Sequence, residues 1–271
     1  MEKLLPRDIA LNIFYRLPIQ SVLDCKLVCK AWRNILSGPS FARQNLLYRL
    51  HDHDCGFVLL TVNFFGNLSL CYHEYAAGNQ FVDMKKISHP SDNGSFFRTV
   101  IGSCNDLICC AVNCNGDPTF VCNSITKEYY CLPELNAESQ LFVRSGFGYN
   151  HSTDEYKVVR IFEKGRVQVS TLDGTSDGWV DKDEVISYEF RTQKGIFANG
   201  ETFWLCNDYR TIVAFNVADE EFREFVNLPP SIKAEDAVVV ALVALDRCLC
   251  VVEWLYVLRK MKYRDYQEST S

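Results

Sequence analysis

The stretch SVLDCKLVCKAWRNIL, Ser21 to Leu36, carries more apolar residues than one buried helix face needs. At roughly 100° per residue, most of its apolar side chains fill about half of the helix circumference and Leu23 and Leu27 extend this arc further. Lys26, Lys30 and Arg33 occupy the narrow remainder. A surface helix of a globular protein usually buries a stripe about 100° wide. We therefore predict one helix from Val22 to Leu36, capped by Ser21, whose additional apolar residues contact another protein.

The residues before this stretch predict a second helix, RDIALNIFYRL. Pro6 suits a first helical position, and Ile9, Ile13 and Leu17 recur four residues apart on one stripe. Pro18 should end this helix. A helical unit of about 45 residues is near the size below which chains fold poorly alone, so a partner surface is expected.

From about Asp52 on, the sequence changes to short β-rich runs between turn residues. The runs are GFVLLTVN, DLICCAVN, TFVCN, EYKVVRIF, TFWLC, TIVAFNV and CLCVVEWLYV. The fold class we predict is α+β in separate domains. A helical domain spans residues 1–45, a linker spans 46–55, and an all-β domain spans 56–271.

A short pattern, N-x-x-[TD]-x-E-[YF], recurs within the β region as NSITKEY from Asn123, NHSTDEY from Asn150 and NVADEEF from Asn216. Each copy combines an Asn able to form a side-chain turn with an aromatic residue that restarts a strand, which predicts hairpins. Asn123 and Asn216 lie 93 residues apart, about twice 46. A recurrence near 46 residues is in the range of β-propeller blades.

Charge and hydropathy exclude two classes of function. The formal net charge is −6 and no run of Lys and Arg forms a basic face, so we set nucleic acid binding aside. The longest apolar run, Ala237 to Leu245, is far shorter than a bilayer span, and the first residues lack the apolar core of a signal peptide. We expect a soluble protein of the cytoplasm, the nucleus or both.

Candidate catalytic and metal-binding residues are sparse. The 13 cysteines have no paired zinc spacing, which favours reduced thiols that act as small apolar groups. HDHD, His51 to Asp54, reads as a solvated linker, and GFGYN, Gly146 to Asn150, reads as a turn rather than a phosphate loop. Without a nucleophile, nucleotide or metal motif, an enzyme is the least favoured class, and we expect no cofactor and no metal.

The helical segment as a whole resembles the F-box motif. The matching features are Leu5-Pro6, Leu17-Pro18, the Val-Cys-Lys-x-Trp sequence from Val28 to Trp32, and the aliphatic pair Ile35-Leu36. This resemblance implies a module that docks onto the small adaptor subunit of cullin-RING (SCF-type) ubiquitin ligases. Carried over by position, it implies adaptor contacts, direct or supporting, at Leu5, Pro6, Ile9, Leu17, Pro18, Val22, Leu23, Val28 and Trp32.

The β region resembles the F-box-associated domain that follows the F-box in many plant proteins. Among the matching stretches are GSCNDLICC, VCNSITKEYYCLP, GFGYNHSTDEYKVVRIF, ANGETFWL and IVAFNVADEEFREFVNLP. The resemblance implies a kelch- or propeller-like domain that holds a target protein. Members of that family typically continue well past the last matching stretch, so we expect this propeller-like domain to be truncated at its C-terminus.

Together these features predict a substrate-recognition subunit of an SCF-type ubiquitin ligase, linked through its adaptor to the cullin. The alternative is a truncated or regulatory F-box protein that binds the adaptor without recruiting a target. Within the β domain, the acidic segment SDGWVDKDE, Ser176 to Glu184, is a candidate target-binding loop with Trp179 as its anchor, although a solvated turn with a partly buried Trp is equally compatible with this composition.

Overall fold

The computed structural model describes residues 6–17, 19–49, 56–62, 68–76, 80–81, 85–87, 99–111, 116–123, 126, 128–134, 142–172, 178–227, 239–245 and 248–254. The chain divides into two compact units. One unit comprises Met1–Phe96 with Cys122–Tyr129, and the other comprises Phe97–Val121 with Tyr130–Ser271.

The described part of the chain begins with helices α1 (Arg7–Phe14), α2 (Ile19–Val28), α3 (Lys30–Leu36) and α4 (Pro39–Arg49). Pro6 is the N-cap of α1, and Asp8 in the first turn lies at the positive end of the helix dipole. Ser21 lies inside α2 and does not cap it, contrary to the prediction. Helix α4 continues to Arg49, into the predicted linker, while the domain boundaries themselves stay a prediction.

The prediction of one helix from Val22 to Leu36 was wrong. The backbone of Cys29 is extended, with φ −156° and ψ 162°, so α2 ends at Val28. The Cys29 sulfur then accepts a hydrogen bond from the backbone N–H of Trp32 at 3.4 Å and caps α3. The broad apolar arc is therefore divided between two helices.

The helices share one small apolar core. Its fully buried members are Ala10, Phe14, Val22, Leu36 and Phe41. The Trp32 ring meets Phe14 edge to face with centroids 4.9 Å apart, and Tyr15 stacks on Phe41 at 5.2 Å. These contacts hold the first three helices and the start of α4 together, because each helix contributes at least one core side chain.

After the helices, the described residues of both units form strands. The first unit contains β1 (Gly56–Val62), β2 (Leu68–Ala76), β3 (Gln80–Phe81) and β4 (Lys85–Ile87). Strand β1 pairs antiparallel with β2, from Gly56 opposite Glu74 to Val62 opposite Leu68, and β2 also pairs with β3 and β4. The result is a four-stranded antiparallel sheet.

Three further four-stranded sheets and one two-stranded sheet are described, each with its strands in chain order. The first comprises β5 (Thr99–Cys104), β6 (Leu107–Ala111), β7 (Phe120–Asn123) and β8 (Tyr129–Cys131). The second comprises β9 (Val143–Asn150), β10 (Glu155–Phe162), β11 (Arg166–Leu172) and β12 (Val180–Val185). The third comprises β13 (Ile196–Ala198), β14 (Glu201–Leu205), β15 (Thr211–Asn216) and β16 (Glu221–Asn227), and the two-stranded sheet comprises β17 (Val239–Leu245) and β18 (Cys248–Trp254). The strands predicted from β-rich runs are confirmed.

Within the second unit the sheets meet at their first strands. Strand β13 contacts β5, β9 and β17, and β5 contacts β9. These first strands begin at residues 99, 143, 196 and 239, which are 44, 53 and 43 residues apart. Repeated antiparallel sheets that converge on their first strands form a propeller-like domain, as the recurrence near 46 residues predicted.

The recurrent Asn motif forms hairpins in all three places. The side-chain oxygens of Asn123, Asn150 and Asn216 accept backbone N–H bonds from residues two or three positions ahead, at 2.8 to 3.1 Å. Asp154 and Glu220 occupy the same motif position and both have left-handed backbone, with φ of 63° and 60°. The same sequence therefore builds the same turn in successive sheets.

The GFGYN segment lies within strand β9, so its prediction as a turn was wrong. Gly146 and Gly148 are two residues apart in the strand, so both lack a side chain on the same face. This face packs against the neighbouring sheet. A Cβ at Gly146 would lie 2.7 Å from Thr202 and 2.8 Å from the indole of Trp204. Gly146 is needed because the buried Trp204 packs directly on the backbone, and Gly148 is needed because Phe197 and Val217 approach it in the same way.

None of the ten cysteines whose side chains the structure describes forms a disulfide. Cys109, Cys110, Cys122 and Cys206 are buried in the β sheets, where they act as small apolar side chains. Burial raises the pKa of Cys206 to about 11. Among the described residues, no helix is both long and apolar enough to cross a membrane.

Candidate functional site

Four large aliphatic side chains are exposed in the described part of the helical region. Ile9 and Ile13 on α1 are 51% and 46% exposed. Leu27 and Val28, the last two residues of α2, are 75% and 64% exposed. Exposed aliphatic side chains on a small helical unit are typical of residues that bind another protein, and we call these two pairs together the apolar surface.

The four residues of the apolar surface lie on helices that core contacts and hydrogen bonds hold in place. Ile9 and Ile13 are one helical turn apart, and the core residues Ala10 and Phe14 follow each of them along α1. Next to Leu27 and Val28, the Arg33 Nε donates a hydrogen bond to the backbone oxygen of Lys26 at 3.2 Å. This bond connects α3 to the last turn of α2. The Cys29 cap acts at the same corner. Leu27 and Val28 are thus held at a fixed bend in the chain.

The structure distributes the sequence-predicted adaptor residues over three environments. Pro6, Ile9 and Val28 are exposed, and Leu17, Leu23 and Trp32 are half-buried. Val22 is 1% exposed and belongs to the core, where it can only support a surface made by others. Leu5 and Pro18 lie outside the described residues.

Two members of the apolar surface, Ile13 and Leu27, were not among the predicted site residues. Ile13 could have been found from the stripe it forms with Ile9 and Leu17. Leu27 could not, because its exposure depends on the end of α2 at Val28, and the sequence predicted a continuous helix there.

The immediate surroundings of the apolar surface carry charges of both signs. Asp8 and Asp24 are exposed on α1 and α2, and Lys30 and Arg33 are exposed on α3. Burial, with a smaller contribution from the Asp24 carboxylate, raises the pKa of the nearby Cys25 thiol. This thiol therefore stays protonated at neutral pH and has the character of an apolar side chain rather than of a nucleophile.

Trp179, the predicted target-binding residue, is engaged by its own domain. Its indole N–H donates to the backbone oxygen of Pro133 at 2.9 Å. The guanidinium of Arg160 lies 3.8 Å from the centroid of its ring. The segment after Trp179 forms strand β12, so the prediction of a loop over residues 180–184 was wrong. These contacts favour a structural role, and target binding by Trp179 stays a prediction.

Arg160 connects two successive sheets. Its Nη1 donates to Asp117 at 3.0 Å and its Nε donates to Gln168 at 2.7 Å, and all three side chains are buried. Burial lowers the pKa of the guanidinium, and the Asp117 carboxylate opposes that effect. The paired arrangement keeps a charge stable in the interior and fixes the loop that precedes β7 against β10.

An open cavity of about 480 Å³ lies beside β12 and the β15–β16 turn. Its lining comprises Lys182, Asp183, Asp219, Glu220, Glu221 and Phe222. Glu220 accepts a 2.6 Å hydrogen bond from the buried Lys157 and also pairs with Lys182. Burial alone would raise the pKa of Glu220, but the bonds from the two lysines outweigh it and hold that pKa below its ordinary value. The ion pairs fasten the turn of one sheet to the neighbouring sheet.

The described residues contain no group of three or more His, Cys, Asp or Glu side chains arranged to hold a metal ion. The HDHD segment, His51 to Asp54, lies outside the described residues. The feature with the clearest chemical character is therefore the apolar surface of the helices.

Comparison with family models assigns both regions. Residues 3–47 match a model described as F-box-like, and residues 51–243 match the F-box associated beta propeller domain.

Several similar proteins come from Arabidopsis thaliana. The F-box protein At3g07870 is 26% identical over 92% of this chain and 66% of its own length, and the F-box/kelch-repeat protein At3g23880 is 24% identical over 81% and 64%. The F-box protein CPR1 is 25% identical over 92% of this chain and 66% of its own. The chain thus spans about two thirds of the length of these relatives.

Among solved structures, the periplasmic gluconolactonase PpgL of Pseudomonas aeruginosa is 14% identical with a TM-score of 0.36. That match covers 64% of this chain and 55% of the lactonase. A similarity this low says nothing about activity.

Proposed function

Because the chain belongs to the plant F-box proteins that carry an F-box associated β-propeller domain, we propose that it is a substrate-recognition subunit of an SCF-type ubiquitin ligase. The helices bind the small adaptor subunit and, through it, the cullin. The β domain holds a target protein. This chain makes and breaks no bond itself, and it acts in the cytoplasm, the nucleus or both.

The observation that carries this proposal is the apolar surface on an otherwise closed core. A fully buried Leu, Ile or Val side chain contributes about 1.5 to 3 kcal/mol relative to an exposed one. The side chains of Leu27 and Val28 are 75% and 64% exposed, so they retain most of that free energy for binding. Neither residue belongs to the core cluster of the helices, so their burial by a partner removes no core contact.

A protein adaptor fits this surface better than a membrane or a nucleic acid does. The exposed groups beside the apolar surface carry both charges, Asp8 and Asp24 with Lys30 and Arg33, as in the polar rim of a protein interface. The match of residues 3–47 to the F-box-like model supports the same partner.

The proposed mechanism is tethering. An adaptor held by the helices and a target held by the β domain bring the target beside the ubiquitin-charged enzyme of the ligase. Tethering of this kind makes the encounter intramolecular and can raise apparent affinity by about 10²- to 10⁴-fold without any new contact. Catalysis is left to the other subunits.

A capture experiment with charge-matched variants tests the adaptor contact. Ile9→Asp with Leu27→Asp places two carboxylates in the apolar surface, whereas Asn12→Asp with Asn34→Asp adds the same charge at exposed polar positions of α1 and α3. We expect the first variant to lose capture of the purified adaptor and the second to retain it. Circular dichroism should show both variants folded. Equal capture by the two variants would contradict the proposal.

A further inference from the structure

The positively charged side chains of the second unit fall into two groups. The first group forms ion pairs with carboxylates of the same domain and consists of Lys157, Arg160, Arg166, Lys182 and Arg223. Among the described residues, the second group forms no ion pair and consists of Arg144, Lys164, Arg191, Lys194 and Arg210. Arg144 is half-buried and the other four are exposed. Unpaired cations that gather in neighbouring loops create a local positive field.

Two of these cations lie at the end of the second sheet where β9 begins. Val143 at the start of β9 pairs with Phe162 at the end of β10, so these two strand ends are adjacent. Arg144 follows Val143 in β9, and Lys164 lies in the turn after β10. The two positions therefore share one end of this sheet.

The segment before β13 joins the same end. The backbone N–H of Ser145 donates to the Gln193 oxygen at 2.7 Å, and Ser145 forms a parallel bridge with Lys194. In the same segment, the backbone N–H of Arg191 donates to the oxygen of Leu205, the last residue of β14, at 2.9 Å. Backbone hydrogen bonds therefore hold this segment between the start of β9 and the β14–β15 connection.

The β14–β15 connection adds Tyr209 and Arg210. Tyr209 has left-handed backbone, with φ of 58°, which is uncommon for an aromatic residue. The Asp208 carboxylate fixes this turn by accepting the backbone N–H groups of Arg210 and Thr211, each at 2.9 Å. The guanidinium of Arg191 lies 4.0 Å from the centroid of the Tyr209 ring. We call the five unpaired cations together with Tyr209 the basic end.

The basic end carries a surplus of positive charge. Its loops contain the carboxylates of Glu163, Glu189 and Asp208, which are fewer than its cations, and the Asp208 carboxylate is engaged within its own turn. The opposite end of the third sheet carries the β15–β16 turn, which contains Asp219 and Glu220. The two ends of the sheets therefore differ in charge.

We propose that the basic end binds an acidic segment of the target protein, whose carboxylates pair with the cations that have no partner within the chain. The ligand is a target in the sense of the ligase function proposed above, on which this inference rests. Opposite charges across an interface raise the association rate and set specificity more than affinity. Arginine and tyrosine are also enriched in protein interfaces. Phe142, which directly precedes β9, adds an aromatic side chain that is 57% exposed.

An acidic peptide fits the basic end better than a long polyanion such as a nucleic acid. The formal net charge of the chain is −6, so a polyanion that extends past the basic end meets repulsive carboxylates. A short segment is influenced mainly by charges within about 8 Å, the Debye length at physiological ionic strength. Glu163 and Glu189 lie in the same loops as the cations and would oppose a continuous phosphate backbone, whereas a peptide can place uncharged residues beside them.

Fluorescence anisotropy with defined peptides and the full chain tests this inference. The probe is an octapeptide of alternating Glu and Tyr, and its reference is the same peptide with Gln in place of Glu. Lys194→Gln with Arg210→Gln removes two cations whose side chains form no hydrogen bond or ion pair in the described part of the chain. Lys182→Gln with Arg223→Gln is the matched control, because it removes the same charge from cations that are ion-paired away from the basic end.

We expect the unaltered chain to bind the acidic peptide at least about tenfold more tightly than the Gln form, with an affinity that falls as salt is added. Lys194→Gln with Arg210→Gln should weaken binding at least about fivefold, and the control variant should bind like the unaltered chain. Equal binding of the two peptides, an equal loss in both variants, or tighter binding of a single-stranded oligonucleotide of the same charge would overturn the inference. Both variants should still capture the adaptor, because their helices are unaltered, so a failure of peptide binding is distinguishable from a failure of the ligase proposal.

Discussion

Removal of the Asp117 carboxylate should destabilise the β domain strongly, because it leaves the Arg160 guanidinium charged and buried. Both partners of this pair are almost fully enclosed, and the bond between them is 3.0 Å. Breaking a buried ion pair by removing one partner costs about 3 to 5 kcal/mol. For Asp117→Ala we therefore expect a loss in the free energy of unfolding within this range.

An exposed ion pair of the same sheet provides the matched control. Arg166 and Asp181 are each 56% exposed, and exposed pairs contribute about 0 to 1 kcal/mol. Arg166→Met should therefore change the free energy of unfolding by no more than about 1 kcal/mol. The double variant Asp117→Leu with Arg160→Met removes both buried charges and should recover most of the loss, because methionine can still cover the Trp179 ring.

Urea unfolding followed by tryptophan fluorescence measures these effects. A Trp32→Phe background removes the tryptophan of the helices, so the signal comes from the β domain. With a slope of about 3 kcal/mol per molar urea, Asp117→Ala should lower the midpoint by at least about 1 M. The reasoning fails if Asp117→Ala costs no more than Arg166→Met, or if the double variant is as unstable as the single one.

Two further predictions concern packing and pH. Gly146→Ala should destabilise the β domain by about 1 to 3 kcal/mol in urea unfolding, because its Cβ would overlap Thr202 and Trp204. Gly178→Ala, where no atom lies within 4 Å of the added Cβ, should be close to neutral, and equal effects at both sites would contradict this explanation. The folded-state pKa of Glu220 is lowered, so its contribution to stability is complete above the ordinary value of 4.5 and is lost as the pH falls through the folded-state pKa. Glu220→Gln should therefore unfold with a weaker acid dependence below pH 4.5, and an unchanged pH profile would show that the lysine contacts do not stabilise the fold.

The β strands were predictable from the sequence because their signals are local. EYKVVRIF coincides with β10, and the Asn motifs place the hairpin turns through hydrogen bonds within a few residues. Gly146 and Gly148 were misread because glycine is typical of turns. Both glycines are required by side chains that are distant in sequence and reach them only when the sheets pack, Thr202 and Trp204 at Gly146 and Phe197 and Val217 at Gly148.

The candidate site was predictable in character but not in detail. The excess of apolar residues between Ser21 and Leu36 correctly indicated an exposed apolar surface. The helix break at Cys29 was not predictable, since cysteine is not among the residues favoured at N-caps and the nearby Leu27, Lys30 and Ala31 are good helix formers. Because α2 ends at this break, its last two residues, Leu27 and Val28, are exposed, whereas Val22 near its start is buried in the core.

Titration calorimetry of the full chain with the purified adaptor tests the central claim, that the apolar surface is the adaptor-binding site. Leu27→Ala with Val28→Ala should weaken binding by about 2 to 4 kcal/mol, since each side chain is mostly exposed and would be buried in the complex. That loss is about 30-fold or more in Kd. The thermal stability of the double variant should remain that of the unaltered chain. An unchanged Kd in the folded double variant would contradict the claim.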